Sequence, residues 1–563
     1  MTSFLPHFRE PAHRSLLVAF LIILTLSGMD SVAMADDLQA VSAPPTVMAQ
    51  NTGFDPSMTR EVLGVALNFM APRTLEAHSV REFCLWGLDG LTAIDPGLSV
   101  TETPARQEGD HHTPEMLVLQ GQTVLLQRPV PAENDRTAWA ALVTSAMMTA
   151  WDSSAVIRQA GGGALLQSFF DELFNHLDPY SRYLGPAPAS ADRTRRTGDT
   201  GSVGLTLAQE GHSIIVAAVN ANGPAWEAGV NSGQRLVAVN GKHTRGQGVT
   251  TVQSWLDGDE HSPVSLELAD RGRQPAILKM QRALVPPETV FASTEGQVTV
   301  LRVASFSTET AEEISQYLDQ AVQGDTSDDL TSTGHSAISG KRPAGVIIDL
   351  RGDRGGVLQQ AVTTAALMLD HGVAVTTHGR NAQANHIWAV QGGDITKGAP
   401  IVILVDGRTA SAAEILAAAL ADHRRAVVVG SETLGKGLVQ VIGQMPNGGE
   451  LFVTWSRNQA PLGWPIQGLG IMPQVCTSRG KDYLDAQMAA LKSGSALQTD
   501  AVRQARSARY PVSVAQILSI RKECPAAVGG DADMETAHRL LASPAAYKAA
   551  LEAVPDENSA PLH

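Results

Sequence analysis

The sequence predicts an α/β multidomain protein, in which a small β-rich module interrupts a longer run of helices and of alternating strands and helices. Three observations predict it. Between Met58 and Leu184 apolar residues recur at helical spacing, most clearly Leu165, Leu166, Phe169, Phe170, Leu173, Phe174 and Leu177. From 196 to 285 the texture changes to short β-branched runs between turn residues (GSVGLTL, HSIIVAAV, GQRLVAVNG, PVSLELAD), with one short helix over Val249–Leu256. From 286 to 475 strands and helices alternate: GVIIDL, a helix over 357–370, VAVTT, IVILVDG, a helix over 412–423, then AVVVG. Such alternation builds a largely parallel sheet with helices packed on it.

Each segment follows from its own chemistry. Arg9 and Arg14, the apolar stretch Ser15–Gly28 and the small residues Ala33-Met34-Ala35 have the order of a secretory leader, so residues 1–35 are expected to be a signal peptide that directs the chain to the periplasm or beyond. The apolar stretch is shorter than the roughly 20 residues a spanning helix needs, which favours cleavage over anchoring. Residues 36–195 form the helical region; the polar stretch Glu108–Pro114 interrupts it, and its Asp110-His111-His112 lacks the further ligands of a metal site. A linker rich in Arg, Thr, Gly and Ala, 186–200, closes it. The β-rich module reads as a compact, partly open barrel. Within the α/β region, 324–341 is dominated by Ser, Thr, Asp and Gly and is expected to be disordered. LVQVIGQM and ELFVTWSR flank the turn PNGG as a hairpin, and 476–563 is a helical tail.

The 563 residues suffice for about three or four domains. A net charge of -15 without a basic block excludes nucleic acid as a partner. Three cysteines, Cys84, Cys476 and Cys524, match neither a zinc site nor a redox pair. One bridge, Cys476 to Cys524, or three separate thiols are both compatible with that spacing.

Chemistry concentrates at two places. IVILVDGRTASAAEILAAALADHRR runs from a buried strand through a tight turn into a helix, with Ser411 at the junction. Free N–H groups and the positive end of the helix dipole lie there, so Ser411 is a candidate nucleophile with the N–H of Ala412 as an oxyanion donor. The bland alternative is that Ser411 or Thr409 merely caps the helix. Lys436 follows in Leu434-Gly435-Lys436-Gly437, between the strand AVVVG and the hairpin. A lysine acts as a base only if burial or nearby dipoles lower its pKa; the alternative is a solvated turn residue. Gly430–Gly437 approximates a phosphate loop, but Gly437 stands where the magnesium-binding hydroxyl belongs, and a hairpin follows instead of a helix. No G-x-S-x-G elbow, H-E-x-x-H helix or cysteine-peptidase flank is present, which leaves serine with lysine.

TASAAEI around Ser411, GKGLVQ around Lys436, DLRGDRGG at 349–356, LDPYSRYL at 177–184 and IQGLGIMP at 466–473 together resemble the carboxy-terminal processing, or tail-specific, serine proteases. The resemblance covers about 163–475 and implies a crotonase-like core with an inserted PDZ domain. It implies Ser411 as nucleophile, Lys436 as general base, Gln440 orienting that lysine, and Gly355 or Gly356 completing the oxyanion hole with Ala412. It also implies a PDZ carboxylate-binding loop at Gly204, Leu205, Thr206 and Leu207 that captures a chain end by strand addition, or a PDZ module serving only as a lid. Three positions depart from the family pattern: Asp353 replaces an asparagine, Leu434 a phenylalanine, and MPQV the usual Pro-Asp. The expected function is therefore an exported endopeptidase acting without a cofactor on polypeptides with exposed apolar carboxy termini. A silent ligand-binding protein on the same core is the rival. An adaptor, a lipoprotein or a second copy of the chain are the partners left open for the helical region.

Overall fold

The structure is a computed structural model and describes residues 53–103, 114–197, 201–220, 223–270, 274–285, 288–323 and 343–556. The expected leader, Asp110-His111-His112 and the insert 324–341 lie outside the described residues. No helix among those described is long and apolar enough to cross a membrane.

The amino-terminal part opens with α1 (Pro56–Met70), begun by Asp55 accepting the Ser57 and Met58 N–H groups with Pro56 in the first turn. In α2 (Val80–Ile94) Ser79 and Glu82 form a capping box. The chain then departs from the all-helical expectation. Strands β1 (Leu98–Glu102), β2 (Glu115–Gln120) and β3 (Thr123–Pro129) make an antiparallel sheet. Met116 and Val118 face inward while their neighbours are less buried, a period of two that the surrounding helical pattern masks. Helices α3 (Arg136–Ser153), α4 (Ala155–Ala160) and α5 (Gly162–Asn175) follow, then β4 (Arg182–Leu184). The expected linker is a helix, α6 (Pro186–Thr197). Its arginines explain the difference: Arg193 and Arg196 pair with the fully buried Glu450 carboxylate at 2.8 and 2.6 Å, tertiary contacts that override weak local preference.

The β-rich module comprises β5 (Gly201–Ser202), β6 (Leu205–Glu210), β7 (Ser213–Val219), α7 (Pro224–Glu227), β8 (Arg235–Val239), β9 (Lys242–His243), α8 (Val249–Leu256), β10 (Pro263–Ala269), β11 (Ala276–Gln281) and β12 (Ala283–Leu284). Its main sheet runs β11-β10-β8-β7-β6, which leaves β6 at an edge. Leu205, Leu207, Val216, Leu236, Val252 and Leu266 fill the core beneath it.

The α/β part contains β13 (Val290–Glu295), β14 (Val298–Val303), α9 (Thr310–Gln323), β15 (Gly345–Asp349), α10 (Leu358–Ala366), β16 (His371–His378), β17 (His386–Gln391), β18 (Ile401–Val405), α11 (Ala412–Asp422), β19 (Ala426–Gly430), β20 (Leu438–Gln444), β21 (Glu450–Gln459) and β22 (Val475–Cys476). One sheet is ordered β13-β14-β15-β18-β19-β22, parallel except for β13. VAVTT does not belong to it. Strand β16 joins the hairpin β20–β21 in a second, antiparallel sheet ordered β17-β16-β21-β20, with β4 on β21. The hairpin's Leu451 and Val453 bury against the amino-terminal helices, so the segment after Lys436 is held from two sides.

The tail is the outer layer of this sheet. Helices α12 (Lys481–Lys492), α13 (Thr499–Ser507), α14 (Val514–Arg521), α15 (Asp531–Leu541) and α16 (Pro544–Leu551) follow β22. Leu484, Met488, Leu540 and Ala550 cover Ile347, Val402, Leu404 and Val427, while α10 and α11 cover the opposite face. Burial on both faces explains why β15, β18 and β19 read as unbroken apolar runs. Cys476 and Cys524 form a disulfide, and Cys84 is buried and free.

A buried ion pair also fixes the tail. Arg506 Nε lies 3.2 Å from Asp422 Oδ1, and Asp422 Oδ2 accepts the Trp464 indole N–H at 2.8 Å. Arg506→Met is expected to destabilise the fold by about 3–5 kcal/mol, because Asp422 stays buried without its cation. Guanidinium unfolding reads this directly, and a midpoint like that of the wild type would refute it.

Candidate active site

Asp406 organises the turn after β18 by accepting N–H groups from Gly352, Arg408 and Thr409 at 2.9, 2.9 and 3.0 Å. Thr409 does not cap the helix; its hydroxyl donates to the Leu350 carbonyl at 2.9 Å. Ser411 then stands at the head of α11 with φ 59° and ψ -118°. A side chain at positive φ is strained, and such strain persists where surrounding contacts over-determine the backbone. Here they do: the Ala410 N–H donates to the Asp353 carbonyl at 2.9 Å, and the Ser411 N–H to Glu414 Oε2 at 2.8 Å.

Glu414 joins the two halves of the site. Its Oε2 accepts both the Ser411 N–H and the Lys436 N–H, at 2.8 and 2.9 Å. Oε1 accepts the Gly435 N–H at 2.7 Å and the Thr433 hydroxyl. The backbones of Ser411 and Lys436, 25 positions apart in the chain, thus meet at one carboxylate oxygen. Burial pushes the Glu414 carboxyl up, and the four donors pull it back.

The Lys436 side chain is half-buried, and its Nζ lies 5.0 Å above the Tyr180 ring. Among the described residues it has no hydrogen-bond acceptor or ion-pair partner. Burial lowers its pKa, as does Arg182, while Glu414 and Asp178 oppose them. Gln440 makes no hydrogen bond to it among the described residues: its Nε2 donates to the Leu438 carbonyl and the Thr454 hydroxyl, both at 3.1 Å, and Thr454 in turn donates to Asp178 at 2.7 Å. Gln440 sits just past a bulge between Val439 and Gln440, which turns its amide into that network. Gln467 accepts the Gly437 N–H at 2.9 Å and bonds Tyr180, so LDPYSRYL and IQGLGIMP both converge on the lysine loop.

Gly355 has φ 86°, and a Cβ there would lie 2.6 Å from the Ala410 carbonyl oxygen, 2.7 Å from the Ala412 nitrogen and 2.8 Å from Ser411 Cβ. Only glycine fits this approach. Its own N–H is committed to Asp353 Oδ1 at 2.7 Å, whereas the N–H groups of Gly356 and Ala412 have no partner among the described residues. Gly355 and Gly356 are further fixed by the Phe306 N–H donating to the Gly355 carbonyl at 3.1 Å and the Val357 N–H to the Phe306 carbonyl at 2.9 Å.

In the β-rich module Gly204, Leu205, Thr206 and Leu207 run into edge strand β6, beside α8. Gln253 of α8 donates to the Leu205 carbonyl at 3.0 Å.

A profile of peptidase family S41 matches residues 297–477, and a PDZ-domain profile matches 215–270. A carboxy-terminal-processing protease of Bartonella bacilliformis is 31% identical over 312 residues, 55% of this chain and 69% of its own. The chain belongs to the carboxy-terminal processing proteases. These are serine-type peptidases. The chloroplastic C-terminal processing peptidase of Tetradesmus obliquus is 29% identical over 305 residues, 53% of this chain and 64% of its own. The solved photosystem II D1 C-terminal processing protease is 26% identical, covering 60% of this chain and 86% of its own, with a TM-score of 0.32. In this protease Glu414 and Tyr180 are the site residues that sequence reasoning passed over. The capping-box spacing Ser411-Ala412-Ala413-Glu414 was the signal for Glu414; nothing in the sequence singles out Tyr180 within LDPYSRYL.

Proposed function

We propose that this protease is an exported endopeptidase that captures polypeptide carboxy termini on its PDZ domain and cleaves peptide bonds with a Ser411/Lys436 dyad. The observation that carries the reading is the single Glu414 oxygen that accepts both the Ser411 and the Lys436 backbone N–H, which ties the helix head and the lysine loop to one point. Ser411 Oγ attacks the scissile carbonyl while neutral Lys436 takes its proton. The amine leaves with that proton, and water then hydrolyses the acyl-enzyme by the same route. The N–H groups of Ala412 and Gly356 stabilise the tetrahedral oxyanion. Gln440 supports the strand behind the lysine through Thr454 and Asp178. For the chemistry Lys436 Nζ turns from the Tyr180 ring towards Ser411. Export rests on the order of charged, apolar and small residues in 1–35.

The test is a serine-directed acylating probe together with an unfolded polypeptide ending in apolar residues. Wild type is expected to be labelled at Ser411 and to cleave; Ser411→Ala and Lys436→Ala are expected to do neither at a comparable rate. Equal cleavage by all three ends this reading.

Strand addition to β6 needs the Leu205 carbonyl, which Gln253 occupies. In a Ser411→Ala background, Gln253→Ala is expected to bind a labelled apolar-ended peptide roughly five-fold more tightly, since one competing hydrogen bond contributes about 1 kcal/mol. Fluorescence polarisation measures it; unchanged or weaker binding counts against the competition.

A further inference from the structure

Asp353 lies directly behind the loop that faces Ser411 and is fully buried. Its Oδ1 accepts the Gly355 N–H at 2.7 Å and its carbonyl accepts the Ala410 N–H at 2.9 Å, so one residue holds both sides of the approach between Gly355 and Ser411. Its other oxygen, Oδ2, has no partner among the described residues. An ionised oxygen left without a donor in a buried site is costly, and a protonated one less so.

The surrounding charges do little to change that balance. Arg302 on β14 acts on Asp353 directly, and the charged residues of the neighbouring segments are Asp349 at the end of β15, Arg351 just after it, Asp406 and Arg408 in the turn after β18, and Glu414 on α11. Among them Arg302 pulls the carboxyl towards ionisation, yet it is already paired with Asp349 at 2.9 Å. Arg351 pairs with Asp349 at 2.8 Å, Arg408 lies 3.6 Å from Asp406, and Glu414 is saturated by its four donors. Burial prevails and pushes the Asp353 carboxyl up to about 7.

We propose that Asp353 is a positioning residue of the oxyanion loop: by taking the Gly355 amide it leaves the Gly356 amide for the acyl oxygen, and its own charge decides how well the loop tolerates a negative oxygen beside Ser411. This rests on the serine acylation argued above. When Asp353 is neutral the loop presents donors to the developing oxyanion with no charge behind them. When it is ionised, a second negative charge sits one residue away in a poorly solvated region and opposes that oxyanion. Lys436 must lose its proton as pH rises, whereas Asp353 must keep its own, so the two groups bound activity from opposite sides.

The experiment is kcat/KM against pH for the full chain as wild type, Asp353→Asn and Asp353→Ala, with thermal unfolding at each pH. Asn keeps the acceptor for Gly355 and cannot ionise. The wild type is expected to lose activity on the alkaline side above about 7, and the Asn variant to lack that limb and exceed it about ten-fold at high pH. The Ala variant, with Gly355 released, is expected to lose kcat at every pH with little change in KM. Because the folded-state pKa of Asp353 is raised from about 3.8, the wild type should lose stability relative to the Asn variant as pH rises from there to about 7, and no more beyond. Coincident pH profiles for wild type and Asn overturn the proposal while leaving the dyad intact; full activity of Ser411→Ala overturns both.

Discussion

Ser411→Ala and Lys436→Ala are each expected to lower kcat by about 10⁴-fold or more, and the double variant is expected to be no slower than either single one. In the proposed mechanism no acyl-enzyme forms without the Ser411 hydroxyl. Without the amine the proposed mechanism has no base, since the Glu414 carboxylate, which accepts the Ser411 N–H, spends its oxygens on four donors. Residues that act as one unit give non-additive losses, so additive losses would show that the two side chains work separately. The pH dependence carries a sign as well. Burial and Arg182 lower the Lys436 pKa, so the acidic limb of kcat/KM should lie below the range of an ordinary lysine and rise with pH as the amine is freed. An acidic limb at the position of a free lysine would contradict a desolvated base.

Glu414→Gln is expected to lower activity by about 10²- to 10³-fold and to destabilise the fold by about 3–5 kcal/mol. The glutamine has the same shape but the wrong chemistry. It offers one acceptor oxygen, and its NH₂ points donors at N–H groups that need acceptors. Either the Ser411 and Lys436 amides or the Gly435 amide and Thr433 hydroxyl lose their partner, around a side chain with no exposure to water. Because Glu414 acts through the residues it holds, kcat should fall more than KM rises. Urea midpoints together with single-turnover cleavage below the unfolding range separate the two effects. Normal turnover by a well-folded Gln variant would remove Glu414 from the positioning scheme.

How much of this was legible varies with the range of the contacts involved. β15, β18, β19 and α11 follow from local pattern alone, because apolar runs and helix periodicity are properties of neighbours in sequence. The sheet of β1 to β3 is hidden because its strands are short and a polar stretch splits β1 from β2. Helix α6 is hidden because Glu450, some 250 positions away, holds it through Arg193 and Arg196. At the site, Ser411, Lys436 and the glycines at 355 and 356 announce themselves by motif. That Gly355 gives its amide to Asp353, and that Gln440 faces Thr454 instead of Lys436, are consequences of hydrogen-bond geometry that spacing does not encode.

Ser411 carries a further consequence in its backbone. A torsion of φ 59° with ψ -118° suits a residue lacking Cβ far better than serine. The hydroxyl therefore persists at this position against the preference of the polypeptide for glycine. If Ser411 is the nucleophile proposed above, backbone comfort and chemical usefulness point in opposite directions at a single residue, and a glycine there would give a sturdier but inert molecule.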